Sequence, residues 1–279
     1  MKITLSCLIV IILLMFGSPV RALEPFVLYD DFSSKTKIID EARWYGQESI
    51  VTGANIVEDV RQISSGKLHM LSRAYGNVSS DAGITSARTR LLFSNPGPIT
   101  AMKATVQVKG IEADGCANNA EPTVTRVGLF GSFFNPGQPP ANSFLNDVQV
   151  YIAIELASDS TNEPGILNVV GSIRQCGNAT CSTLNTLVSQ TLGTIKLKGK
   201  TDLSMQWDKP NQQFIFQFGK LAPSPLSYSG LVADTFPPSV DIKRLDLSYS
   251  IANCTIEPRI SAFAEAYFDN VFVNQSAAP

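Results

Sequence analysis

Histidine is almost missing from this chain: His69 is the only one among 279 residues. The paired imidazoles of the zinc protease and hydrolase motifs are therefore missing, which argues against that chemistry. No Gly-x-Ser-x-Gly elbow is present to support a histidine-dependent serine hydrolase. Neither a phosphate-binding loop nor a dinucleotide fingerprint occurs. Charged residues are scarce too, at 16%, and no basic cluster is visible along the chain. Nucleic acid is therefore not an expected partner. No long helical period appears, and no Pro/Gly/Ser linker divides the chain. One domain over 23–279 is the expectation, preceded by a leader at 1–22.

The leader is read from Lys2, the apolar run Leu8 to Phe16, and the small-residue cleavage pattern Val20-Arg21-Ala22. These are the parts of a secretory signal peptide, with an apolar core too short for a membrane span. No later segment is apolar enough to span a bilayer, so the expectation is a protein secreted or exported to the periplasm after cleavage near Ala22. Without Lys2 and Arg21, the 22 basic residues fall to 20 against 24 acidic ones.

Cys7 leaves with the leader. Cys116, Cys176, Cys181 and Cys254 remain, an even number that favours two disulfides in an exported chain, although three pairings are open. Cys176 and Cys181 bracket a short turn that brings them within bridging range. Cys116 with Cys254 then follows by elimination. The alternative, a metal site, lacks a paired Cys-x-x-Cys and a partnering histidine.

What the chain does have is period-two alternation. Leu203, Met205 and Trp207 alternate with Ser204 and Gln206; Phe214, Phe216 and Phe218 alternate with Gln213, Ile215 and Gln217. The turn Asp208-Lys209-Pro210-Asn211-Gln212 joins them, which predicts an antiparallel hairpin. Val148, Val150, Ile152, Ile154 and Leu156 alternate with Asp147, Gln149, Tyr151, Ala153 and Glu155. About a dozen such strands, broken by Gly/Pro/Asn turns, predict an all-β sandwich or barrel. Its core is expected to hold Val106, Val150, Ile152, Ile154, Trp207, Phe214 and Phe216. Ile50 to Ile63 shows a mixed pattern with no assignment.

The order of landmarks carries a resemblance. They are Tyr29-Asp30-Asp31-Phe32-Ser33, Gly66-Lys67-Leu68-His69-Met70, Asp147 to Ile152, Trp207-Asp208, and Phe268-Asp269-Asn270-Val271-Phe272-Val273. Together they resemble the concanavalin A-like lectin/glucanase superfamily over nearly the whole mature chain. The resemblance implies a two-sheet antiparallel jelly-roll sandwich whose concave face holds carbohydrate. Glucanases of that superfamily place catalytic acids on one strand as Glu-x-Asp-x-x-Glu or Glu-x-Asp-x-Glu. No such motif exists here. Asp147 and Glu155 lie about 27 Å apart at strand rise, far beyond cooperation.

The expectation is therefore a non-catalytic, lectin-like protein taking a glycan or cell-surface ligand. Gln149 and Glu155 would hydrogen-bond sugar hydroxyls, and Tyr151 would stack on a ring. The alternatives are a glycoside hydrolase with acids drawn from separate strands, and a structural, envelope-associated protein. A structural Ca2+ is implied by the likeness of the closing strand, with Asp269 and, from the first strand, Asp31 as ligands.

Overall fold

The computed structural model describes residues 23–33, 38–45, 49–52, 55–138 and 140–279, the side chains at 49–52 and 55 excepted. The segment read as a signal peptide lies outside the described residues.

Strands account for most of the chain. They begin with β1 (Phe26–Asp30), β2 (Trp44–Tyr45), β3 (Ser49–Thr52), β4 (Asn55–Ser64), β5 (Lys67–Tyr75) and β6 (Ile84–Phe93). The centre comprises β7 (Ala101–Ala113), β8 (Val124–Phe134), β9 (Val148–Ala157), β10 (Ile166–Cys176) and β11 (Leu184–Lys196). The last are β12 (Lys200–Asp208), β13 (Gln213–Phe218), β14 (Ser224–Ser227), β15 (Lys243–Ala252) and β16 (Ser261–Asn274). One sheet runs β14-β13-β12-β7-β16-β5-β4, with β1 paired to β16. The second runs β11-β10-β9-β8-β15-β6-β2, with β3 paired to β6. The architecture is all-β, two antiparallel sheets forming a sandwich, as expected.

Alternation explains the packing. Val106, Leu203, Met205, Phe214, Phe216 and Phe268 of the first sheet meet Val150, Ile152, Ile154, Leu245 and Leu247 of the second, and all are fully buried. Each such side chain contributes about 1.5–3 kcal/mol by leaving water. The hairpin register places Leu203 opposite Phe218, Met205 opposite Phe216 and Trp207 opposite Phe214. Pro210 lies in a short 3-10 turn, Lys209–Asn211, and Gln212 takes a left-handed φ of 48° to reverse the chain. Trp207 is only half-buried: it packs on the core, stacks on Phe134, and donates to the Tyr228 hydroxyl at 2.7 Å. The expected core position for Trp207 is thus the core's rim. Phe216 fits over Gly171 of β10, where a Cβ would stand 2.9 Å from the ring.

Several elements differ from the sequence reading. The unassigned stretch is β3 and most of β4, the latter an edge strand of mostly polar residues. The strand β11 runs unbroken through Gly193, where its register against β10 shifts by a bulge. β14 carries Pro225 at a sheet edge where no ladder donor is needed.

Both expected disulfides are present. Cys116–Cys254 has Cα atoms 5.7 Å apart and Cys176–Cys181 4.8 Å. Disulfides of this kind point to an oxidising compartment, extracellular or periplasmic. No helix among the described residues is long and apolar enough to cross a membrane. Chain-entropy arguments make the two bridges unequal, because they span 138 and 5 residues. Replacing Cys116 and Cys254 with alanine should cost about 5 kcal/mol, and replacing Cys176 and Cys181 about 2 kcal/mol. Denaturant unfolding of the two double variants checks the order.

Candidate functional site

Packing one face of each strand into the sandwich sends the alternate residues outward. On the second sheet that outward face is where chemistry collects. β9 presents Gln149, Tyr151, Ala153 and Glu155, whose intervening residues Val150, Ile152 and Ile154 are core. Opposite them on β8 stand Ser132, Phe130, Gly128 and Arg126. Beyond β8, β15 aligns Arg244 with Phe130, Asp246 with Gly128 and Ser248 with Arg126. β6 extends the rows with Arg90 opposite Asp246 and Arg88 opposite Ser248. On the other side, β10 sets Ser172 beside Tyr151 and Arg174 beside Gln149.

These rows form a shallow groove lined by Arg88, Arg126, Gln149, Tyr151, Arg174 and Arg244, among others. Its enclosed part is about 70 Å3, room for a few waters and too little for a sugar ring. A ligand of any size would therefore lie along the groove. Tyr151, Ala153 and Val170, with Phe130 against them, make a small apolar strip on this face. Gly128 keeps its floor low, since a Cβ there would stand 2.1 Å from the Ile152 carbonyl oxygen.

The electrostatics are one-sided. Five arginines, Arg88, Arg90, Arg126, Arg174 and Arg244, share the outward rows of these five strands with two carboxylates, Glu155 and Asp246. Arg126 Nε donates to Glu155 Oε2 at 2.6 Å, and Arg244 Nε lies 3.2 Å from Asp246 Oδ1. Arg174 donates to the Tyr151 hydroxyl at 2.6 Å. The Tyr151 ring lies under two guanidiniums, those of Arg174 and Arg126, 4.7 and 5.7 Å from its centroid. Arg244 is 1% exposed and sits 3.6 Å from the Phe130 ring centroid. Burial pushes the Arg244 guanidinium down; Asp246 opposes this, while Arg88 and Arg90 add repulsion. Burial likewise lowers Arg90 and Arg174. At Arg126 burial works the same way, but Tyr151 and Glu155 outweigh it and leave that group raised.

The sequence-predicted residues are distributed unevenly. Gln149 and Tyr151 line the groove and are almost fully buried there; Glu155 adjoins it through Arg126. Asp147, expected to share their outward face, precedes β9 and is fully buried. It accepts from Asn135, Ser239 and Val240, so it fastens a loop. Gln206, Gln213 and Gln217 donate to Glu24, Asp208 and Leu221, on the other sheet. His69 also belongs to that sheet, 3.0 Å from Glu265 and stacked on Tyr267. The arginines are what sequence reading missed as a group. Arg88 and Arg90 share one face of their strand in the sequence, but the other three lie on separate strands.

For Ca2+ the arrangement offers little. The Ser33 hydroxyl and backbone N–H donate to Asp31, which holds its carboxyl below the usual range. Asp269 stands 3.8 Å from the Lys200 ammonium. Neither joins a group of three carboxylate, histidine or cysteine ligands among the described residues. The one such group, Asp81 with Cys116 and Cys254, has its sulfurs in a disulfide. A calcium ion at Asp31 or Asp269 would draw most of its six to eight oxygens from the backbone.

No protein-family model matches the chain, and no curated protein matches it. Solved structures do. One is of endo-acting O-glycanases that prominent members of the human gut microbiota express to initiate mucin breakdown. It has a TM-score of 0.51 at 12% identity, covering 90% of this chain and 99% of that one. The fold is the concanavalin A-like lectin/glucanase fold. Weaker likenesses include LamAcat from Zobellia galactanivorans, with a TM-score of 0.47 at 13% identity, covering 93% of this chain and all of that one. The catalytic domain of an endo-1,3-beta-glucanase (laminarinase) from Thermotoga petrophila has a TM-score of 0.45 at 12% identity, covering 91% and 100%. At these identities the likeness is one of fold alone.

Gly128 tests whether the groove floor is as tight as described. Gly128→Ala should destabilise the protein by about 3 kcal/mol, because the contacts a Cβ meets are backbone atoms of β9. Thermal unfolding of this variant beside Gly137→Ala, where a Cβ meets nothing within 4 Å, checks it.

Proposed function

We propose that this is an exported, lectin-like protein that binds carbohydrate on the outward face of its second sheet without cleaving it. One observation carries the reading. The two carboxylates on the groove-bearing strands, Glu155 and Asp246, are each held against an arginine and stand on strands separated by β8. Strand spacing puts their backbone positions about 12 Å apart. A retaining glycosidase needs its two carboxyl groups roughly 5 Å apart, one of them free to give and take a proton. Here both are tied up as arginine partners.

What the groove does have suits binding. Gln149 offers an amide to sugar hydroxyls, and Glu155 and the guanidiniums offer more polar contacts. Phe130, the partly exposed member of the apolar strip, supplies an edge against which a ring can lie. The fold shared with an O-glycanase supports a glycan as ligand. The export expectation and the two disulfides support a ligand outside the cytoplasm.

Two measurements test this together: a glycan array run with and without calcium, and a reducing-end assay on every glycan bound. Binding with no new reducing ends is the expected result. Gln149→Ala should weaken binding about fivefold, the worth of one hydrogen bond. Release of reducing ends would replace the reading with a hydrolase, and an array with no bound glycan would remove it.

A further inference from the structure

Arginine on a protein surface is ordinary; arginine buried in a group is not. Moving a guanidinium out of water costs several kcal/mol unless a partner compensates. Packing such groups together adds mutual repulsion, visible here where Arg88 and Arg90 push Arg244 down and Arg126 pushes Arg174 down. Two carboxylates cannot neutralise five guanidiniums. Arg88 and Arg174 have no carboxylate within ion-pair range among the described residues.

A second observation points into the same groove. Arg244 is fully buried, yet its Nη1 and Nε have no hydrogen-bond partner. The approach of Nε to Asp246 at 3.2 Å is an ion pair without hydrogen-bond alignment. Arg90 Nε, on the neighbouring strand, is also buried without a partner. A buried donor left unmade costs about 1–3 kcal/mol, more when charged. Among the described residues the groove thus holds more guanidiniums than carboxylates, with buried Arg244 N–H groups left without a partner, in a chain whose formal net charge is −2.

We infer that the groove recognises an anionic glycan, with the carboxylate or sulfate of an acidic sugar seated against Arg244 and Arg88. The inference rests on the carbohydrate-binding reading above and names its ligand class. The planar fork of each guanidinium matches a carboxylate or sulfate in two hydrogen bonds, which a neutral hydroxyl cannot supply. The partly exposed Phe130, beside Arg244, meets the ring that bears the acid. The bound anion relieves the repulsion among the arginines as it binds, so ligand and stability are linked.

The experiment is calorimetric titration of the whole chain with three probes: a neutral oligosaccharide, the same backbone bearing a uronic acid or sulfate ester, and inorganic sulfate alone. The acidic oligosaccharide should bind about tenfold or more tightly than the neutral one, as expected for one charge-assisted contact. Its affinity should fall as salt is raised, since the contacts are ionic. Arg88→Gln, at a half-buried position that folding tolerates, should abolish most of that preference. Arg244→Met removes the central guanidinium; because it also leaves Asp246 unpaired, its folding is verified by circular dichroism before titration.

Equal binding of neutral and acidic oligosaccharides, or a preference that survives Arg88→Gln, overturns this inference and leaves the carbohydrate reading intact. Binding of inorganic sulfate without any oligosaccharide shows that the anion is a free one, and overturns both. Binding of none of the three likewise removes both.

Discussion

Strand parity is the constraint on which the rest of this molecule depends. Each central strand of a two-sheet sandwich gives one face to the core, so its alternate residues have only the outer face left. On β9 the requirement that Val150, Ile152 and Ile154 meet the opposite sheet leaves Gln149, Tyr151 and Glu155 outside it. The same requirement on β6, β8, β10 and β15 delivers one or two arginines per strand to that surface. The groove is therefore a by-product of core formation as much as a feature added to it. A one-residue slip of any of these strands would bury its arginine in the core and expose its valines, leucines or isoleucines, a change far outside marginal stability.

Parity also explains what could be read from the residues alone. The Leu203–Phe218 hairpin was legible because both arms alternate cleanly and its turn holds proline and asparagine; its register agrees pair by pair. β9 was legible for the same reason. β4 was not, because an edge strand with Glu58, Asp59, Arg61 and Gln62 presents little apolar rhythm. Gly193 interrupts the alternation of β11, although the backbone passes through a bulge and continues. Asp147 was misplaced because alternation was carried one residue beyond the start of its strand.

The site was legible in part. That Gln149 and Tyr151 face outward could be read, since they occupy the polar parity of the clearest strand. The arginines were not found as a set because their neighbours in sequence are core residues, with no run of basic residues to mark them. Their proximity comes from strand order: β6 and β15 are paired although about 150 residues separate them, and β8 lies on the far side of β15. A search by strand, noting what stands at each outward position, is the signal that would have found them. The inner face of the first sheet closes the core, while its outer face spends its polar groups locally, as His69 does on Glu265 and Tyr267.

The placement of that single histidine has a further consequence. Imidazole is the side chain whose unperturbed charge changes between pH 5 and 8, and here it sits on the sheet opposite the groove. The groove's positive charge comes from guanidiniums, which hold their protons throughout that range. A surface made this way keeps the same positive charge in a neutral fluid and in a mildly acidic one. Ionic contacts made by such a surface are set by dissolved ions, with acidity left out of the control.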